Sequence, residues 1–301
     1  MPVLLTALEP AGRDAERILT LLLVAAGVGL VVWVAALGLG ARSFGRTPRN
    51  PVRTERILIG VGGLVVPVAL LLGLLAAGLP VLDRTLEPGP PGPVRLSVSG
   101  EQWWWRVTYV DDNGEFEAAN ELHLVVGRRV AVALDSPDVI HSLWIPALAG
   151  KVDLVPGRRT TLPLEPTRTG RFRGVCAEYC GLSHANMALE AVVLEAGEHA
   201  AWLGRERGPA RVPVEPAFLS SGCGACHTVR GTPANGNVGP DLTHVASRRH
   251  LGAGVLPSSP AGFRAFLVDP EGHKPGVRMP SFAMLTPTEL SRIADWLARL
   301  D

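Results

Sequence analysis

Neither sign of charge dominates this sequence: 29 lysines and arginines stand against 28 aspartates and glutamates in 301 residues. Without a clustered positive field there is no electrostatic basis for binding nucleic acid or another polyanion. Cysteine is scarce. The four present fall as two close pairs, Cys176/Cys180 and Cys223/Cys226, and close pairs hold metals or cofactors more often than they staple a fold. The 34 glycines and 26 prolines follow no Gly-X-Y period, which excludes collagen and favours loop-rich β structure and linkers. Internal repeats and low-complexity tracts are also missing. Apolar residues are plentiful, at 47% with a mean hydropathy of +0.22. That is too apolar for a chain wholly in water.

Two uncharged runs account for the excess. Residues 18–41 and 57–82 hold 24 and 26 residues without a charge, and at about 1.5 Å per residue each spans a hydrocarbon core of roughly 30 Å. The connector carries Arg42, Arg46, Arg49, Arg53 and Arg56 against the single acid Glu55, whereas the first 17 residues carry Arg13 and Arg17 against Glu9, Asp14 and Glu16. The positive-inside rule makes the connector cytoplasmic and puts both termini outside. Two long runs do not fit a cleaved signal peptide, which has one short run.

The remainder is an outer part with its own divisions. After the Pro/Gly-rich stretch 87–93 come short β-rich runs at 94–98, 103–110, 122–126 and 130–134, separated by turn signals, which predicts an antiparallel sandwich or barrel. Residues 204–216 are polar, carry three prolines and read as a semi-rigid linker. The expected divisions are a hairpin over 1–90, a β module over 91–203, a linker over 204–216 and a helical module over 217–301. The last stretch has Thr286 as a cap, Pro287 at the first helical position and apolar Leu290, Ile293, Ala294, Leu297 and Leu300 at helical spacing.

The first pair of cysteines lies in Cys176-Ala-Glu178-Tyr-Cys180-Gly-Leu-Ser-His184-Ala-Asn-Met187. Thiolates, an imidazole and a thioether together are copper chemistry; zinc shares the first two ligand types but does not ordinarily take methionine. A second imidazole is expected from His141 in Asp138-Val-Ile-His141-Ser-Leu-Trp144, with Trp144 as a shield. His123 and His199 have no sulfur neighbours in sequence and read as surface or structural residues. The second pair lies in Cys223-Gly-Ala-Cys226-His227, the pattern of covalent haem c attachment with His227 as axial ligand. A thioredoxin-like dithiol is the rival, but it wants a βαβ context and leaves His227 unexplained. These assignments leave no cysteine for a disulfide.

These motifs, with Gln102-Trp103-Trp104-Trp105-Arg-Val-Thr-Tyr109 and the paired hydrophobic runs, resemble subunit II of haem-copper cytochrome c oxidases over roughly 15–203. Residues 213–301 resemble a small cytochrome c. The resemblance implies a two-helix transmembrane hairpin, a cupredoxin-like Greek-key sandwich and an all-α cytochrome c domain. It implies a binuclear copper centre, CuA, with Cys176 and Cys180 as bridging thiolates, His141 and His184 as terminal ligands, Met187 as the weak ligand on one copper and the Glu178 carbonyl on the other. The Glu178 side chain would reach a magnesium ion shared with subunit I. Trp103, expected to share a strand face with Trp105 and Tyr109, matches the tryptophan where electrons enter, and Trp104 falls on the opposite face. In the haem module Met279, in a Met-Pro turn, is preferred over Met284 as sixth ligand, Pro240 packs on the haem, and His244, His250 and His273 read as surface or structural residues.

Glu55 reads on its own as an arginine-paired surface residue. The resemblance places it at the entrance of a proton channel in subunit I, although the aromatic residue usual shortly after is Leu58 here. The implied function is the electron-transfer subunit of a terminal oxidase in the bacterial plasma membrane. Both metal modules would lie on the periplasmic side and pass electrons from haem c to CuA and on to subunit I, with its a-type haem and CuB, for reduction of oxygen to water. Subunit III and an external donor, a quinol:cytochrome c reductase complex or a small cytochrome c, are the further partners implied. The spans contain no histidine, so oxygen chemistry and proton pumping belong to partners. A copper-containing nitric oxide reductase is the alternative assembly. A copper-delivery protein leaves the haem motif without purpose, and nitrous oxide reductase does not fit the hairpin.

Overall fold

The computed structural model describes residues 8–44, 50–86 and 94–301, so Arg46, Arg49 and the stretch 87–93 lie outside the described residues. The chain divides into two compact units, residues 14–87 and the remainder. The smaller unit is helical: α1 (Arg13–Ser43), α2 (Pro51–Ile57), a π-helical stretch (Leu58–Val65) and α3 (Val66–Leu86). Asn50 caps α2 by accepting the Arg53 amide, and Pro51 takes the first turn. The continuous helices Arg13–Ser43 and Pro51–Leu82 each contain an 18-residue stretch of mean hydropathy 2.6 and are long and apolar enough to cross a membrane. Glu55 is exposed on α2. The arginine pairing expected for it is not made among the described residues, because α2 keeps Arg53 and Arg56 on other parts of a short helix.

The larger unit opens with residues 11–13 hydrogen-bonded to the β module: the Ala11 amide donates to the Ala147 carbonyl at 2.7 Å and Arg13 to Glu165 at 3.0 Å. The β module has ten strands: β1 (Arg95–Glu101), β2 (Trp104–Asp111), β3 (Gly114–Ala119), β4 (Glu121–Val125), β5 (Val130–Asp135), β6 (His141–Trp144), β7 (Val152–Leu154), β8 (Thr160–Leu164), β9 (Gly170–Cys176) and β10 (Ala188–Leu194). They form two five-stranded sheets, ordered β3-β2-β1-β5-β8 and β4-β10-β9-β6-β7. Period-two alternation drives the packing: along β2, Trp105, Val107 and Tyr109 are buried while Trp104, Arg106 and Thr108 are half-buried. Facing Leu122, Leu134, Leu143 and Leu164 complete the core.

The sheets differ from expectation in direction. β1 runs parallel to β5, with Leu96 opposite Val132, and β4 runs parallel to β10, with Leu122 opposite Ala191. Alternation within a strand reports burial but not the direction of its neighbour, and these pairs are joined by long crossovers rather than hairpins.

A helix, α4 (Ala196–Glu206), follows β10 behind a capping box made by Glu195 and Glu198. It continues through Gly204, Arg205 and Glu206 into the stretch read as linker. The rest of that stretch is tied down: Ala210 donates to the Arg230 carbonyl, and Trp296 Nε1 donates to the Pro213 carbonyl at 2.8 Å. The C-terminal module comprises α5 (Pro216–Ser220), α6 (Pro260–Val268), α7 (Pro270–His273), α8 (Pro287–Leu297) and a small ribbon of β11 (His250–Leu251) with β12 (Leu256–Pro257). The ribbon is an addition to the helices expected. In α8, Thr286 and Glu289 form the capping box, and Leu290, Ile293, Ala294 and Leu297 are buried with Trp296. Trp296 packs on Phe218 of α5 at 4.8 Å.

Candidate metal and haem sites

The sheet pairing of Leu143 on β6 with Cys176 on β9 sets the first site. It brings His141, at the start of β6, beside the loop that joins β9 to β10. There His141 Nδ1 lies 3.9 Å from Cys176 Sγ, Cys176 Sγ 3.8 Å from Cys180 Sγ, and Cys180 Sγ 3.6 Å from His184 Nδ1. Met187 Sδ approaches Cys180 Sγ at 3.9 Å and the Glu178 carbonyl oxygen approaches Cys176 Sγ at 3.2 Å. Two sulfurs therefore sit between two imidazoles, with one weak donor at each end. Six donors exceed what one tetrahedral metal uses, and the soft set with a thioether and a carbonyl suits copper better than zinc. The residues present fit a two-copper centre.

The surroundings hold this set in place. His141 Nε2 is 2.9 Å from Asp138 Oδ1, which leaves Nδ1 free toward the sulfurs. A Cβ at Gly100 would come 2.9 Å from the His141 ring, so only glycine admits the imidazole there. Gln102 Nε2 and Trp103 Nε1 both donate to the Cys180 carbonyl, at 2.8 and 2.9 Å. The contact between the two thiols pulls Cys176 far below the ordinary thiol range and pushes Cys180 up, so the pair shares one proton. Burial opposes a charged His141, but its hydrogen bonds to Cys176 and Asp138 raise its pKa overall.

β2 begins at Trp104, and Trp103 lies in the turn before it, after a cis Gln102–Trp103 peptide. It is 7% exposed and buried in the same core as Trp105 and Tyr109, with its indole reaching the cysteine loop. Trp105 meets His141 edge-on at 6.1 Å. His123 and His199 are structural: both are buried, and His123 stacks on Trp202 at 3.8 Å. Trp144 is half-buried.

At the second site Cys223 is buried and Cys226 exposed, both as free thiols. His227 Nδ1 is 2.8 Å from the Pro240 carbonyl oxygen, which places the ring proton on Nδ1 and leaves Nε2 with its lone pair. Burial holds the His227 pKa down, in the neutral form a metal requires. A Cβ at Gly239 would come 2.5 Å from His227 Cε1, so the chain wraps the imidazole closely. Met279 is half-buried against the module's core, whereas Met284 is 77% exposed. His250 is exposed, and His244 is buried with Nε2 3.0 Å from the Gly208 carbonyl oxygen. Free thiols, a neutral oriented imidazole and a thioether fit a covalent haem.

Residues 112–196 match the family described as cytochrome c oxidase subunit II, periplasmic domain, and residues 215–301 match cytochrome c. Cytochrome c oxidase subunit 2 of Alkalihalophilus pseudofirmus is 30% identical over 319 residues, covering 98% of this chain and 91% of that protein. The chain belongs to the cytochrome c oxidase subunit 2 family. Subunit 2 of Cereibacter sphaeroides is 29% identical over 242 residues, 66% of this chain and 80% of its own. The crystallised periplasmic domain of subunit II from Bradyrhizobium japonicum is 32% identical, covering 39% of this chain and 96% of that one, with a TM-score of 0.37. Membership of the subunit 2 family, with a cytochrome c domain attached, makes this an oxidoreductase subunit of copper and haem c in general terms. Asp138, Gly100 and Gln102 carry no local mark of these roles: Asp138 and Gln102 lie within the motifs 138–144 and 102–109, but nothing in either motif pairs them with His141 or the Cys180 carbonyl.

Proposed function

We propose that this chain is the electron-relay subunit of a terminal oxidase, with haem c in the C-terminal module and a binuclear CuA centre in the β module. The observation that carries the reading is the convergence of His141, Cys176, Cys180, His184, Met187 and the Glu178 carbonyl at contacts of 3.2–3.9 Å. When bound, these groups supply two one-electron carriers, through which reducing equivalents reach subunit I for reduction of oxygen to water. Cys176, Cys180, His141 and His184 would hold the coppers, with Met187 and the Glu178 carbonyl as weaker donors, and Asp138 fixes the His141 ring against rotation. The rigid sheet scaffold holds the donors in nearly one geometry, which suits electron transfer because little rearrangement is then needed.

Cys223 and Cys226 would anchor a haem and His227 and Met279 would ligate its iron, with Pro240 orienting His227 through its carbonyl. The Glu178 carboxylate, which accepts the Tyr179 amide at 3.2 Å, would be a ligand for a magnesium ion shared with subunit I. Both outer modules and both termini lie on the periplasmic side. The arginine-rich connector supports this, as do the bonds from Ala11 and Arg13 to the β module. The proposed divisions are 1–90, 91–203, a connecting stretch 204–216 into which α4 runs as far as Glu206, and 217–301, and Glu55 is assigned to the subunit I proton entrance.

The test is metal analysis and spectroscopy of the detergent-solubilised chain. Two coppers with a mixed-valence signal and one covalent haem are expected; bound zinc or a single type-1 copper would overturn the assignment. Co-purification should then recover subunit I, subunit III and oxygen uptake, whereas nitric oxide consumption would move the chain to the other assembly.

A further inference from the structure

Twenty-seven of the 29 basic residues are arginine, and Lys151 and Lys274 are the two lysines. Lys151 is exposed. Lys274, just past α7, is 2% exposed and makes no ion pair among the described residues. Its Nζ donates instead to two backbone carbonyls, Asn186 and Gly252, each at 2.6 Å. Asn186 precedes Met187 in the copper loop, and Gly252 lies in the β11–β12 turn of the haem module. One amine therefore ties three backbone segments from two modules.

The same seam carries further contacts. Ser183 Oγ donates to the Pro275 carbonyl at 2.7 Å, and the Ala188 amide donates to the Ala253 carbonyl at 3.0 Å. Gly276 has φ +81°, and a Cβ there would come 2.5 Å from Trp103 Cη2 and 3.1 Å from Leu182 Cδ1. The 273–276 turn thus lies flat on Trp103, whose indole holds the Cys180 carbonyl. Burying a lysine on neutral acceptors is a poor route to stability, and a well-packed apolar residue would serve that end better. What the lysine adds is directional hold on one particular arrangement.

We propose that Lys274 is a positioning residue for electron transfer, clamping the 273–276 turn of the haem module onto the loop that bears Cys180, His184 and Met187. The clamp fixes the separation between the two carriers, with Gly276 against Trp103 as its seat. This rests on the relay reading above and adds the contact through which the modules meet.

The test starts from the full chain and an amine-acylating reagent at pH 8, with the two lysine peptides read by mass spectrometry. Lys151 is exposed, whereas the Lys274 amine is buried and held by two carbonyls. Lys151 is expected to label and Lys274 to lag by about tenfold or more. Gly276→Val, which wedges the seat, should abolish that lag. Lys274→Met should slow haem-to-copper transfer after flash reduction by about tenfold or more, with copper content and both spectra unchanged. Lys274→Arg, which keeps the donor, should recover part of the rate. Equal labelling of the two lysines, or a wild-type transfer rate in Lys274→Met with both centres intact, overturns the proposal. If the native chain holds no copper or haem the relay reading fails, and labelling alone still decides whether the clamp exists.

Discussion

The two outer modules hold their reactive residues by opposite means. In the β module the donors come from two places far apart in sequence, residue 141 and residues 176–187, and a sheet register brings them together. In the C-terminal module Cys223, Cys226 and His227 are contiguous, but the scaffold is slight: α5 has five residues and α7 has four. Helices so short are not stable by themselves and draw their order from packing. A site assembled by a sheet should therefore survive the loss of its metal, while a module of short helices should depend on the group it encloses.

The largest expected effect breaks that symmetry outright. Cys176→Ser should reduce copper from about two per chain to none, yet leave far-ultraviolet circular dichroism of the β module and the haem spectrum intact. Replacing Cys223 and Cys226 with serine should leave the copper signal in place and make residues 217–301 a protease-sensitive segment. If instead the copper-free chain is the one that is digested, the contrast drawn here is wrong. A finer pair follows at the weak ligands. Met187→Leu should alter the copper spectrum alone, and Met279→Ala should convert the haem to a five-coordinate or water-bound form alone.

Next in size come the two large buried aromatics. Trp105 is fully buried in the first core and Trp296 is 1% exposed in the second, and truncation of either to alanine should cost about 3–5 kcal/mol. The difference lies in where the loss shows. Trp105→Ala should lower the thermal transition of the β module and also disturb the copper spectrum through His141, 6.1 Å from its ring. Trp296→Ala, which also frees the Pro213 carbonyl, should melt the haem module early and leave the copper signal alone.

How much of this was legible in the sequence follows from the same contrast. The Cys223–His227 motif and the cysteine loop stand out because their chemistry is contiguous, and α8 was readable because a capping box and a 3.6-residue period are local signals. Four strands, β1, β2, β4 and β5, were placed to within a few residues, while the other six were not picked out, and the pairings β1/β5 and β4/β10 needed tertiary information, since nothing in a strand's own pattern states its neighbour's direction. Asp138 against His141, Gly100 beneath its ring, and Lys274 on Asn186 are contacts between segments remote in sequence or sites where a missing Cβ matters. No local pattern encodes such closeness.

The smallest effect concerns acid stability and separates the modules again. In the β module Glu121 is 9% exposed, its Oε2 is 3.2 Å from His123 Nε2, and its Oε1 accepts the Arg249 amide at 3.4 Å. Burial works against its charge, but the hydrogen bond and charge of His123, with Arg248 and Arg171, hold its pKa below the ordinary value of 4.5. The unfolded chain then binds the proton more readily, so this contribution is present above about pH 4.5 and is lost as pH falls through the lower folded value. His199 acts in the same direction at a higher pH. Burial depresses its pKa, and acid therefore begins to favour the unfolded chain as pH drops below about 6.5. Thermal unfolding of the β module followed from pH 7 to pH 3 should show both steps, and Glu121→Gln should remove the lower one, worth about 1–3 kcal/mol. The corresponding acid of the haem module, Glu289 in the α8 capping box, is held low by its hydrogen bonds with Thr286 at the surface, where water competes for them and little stability is at stake.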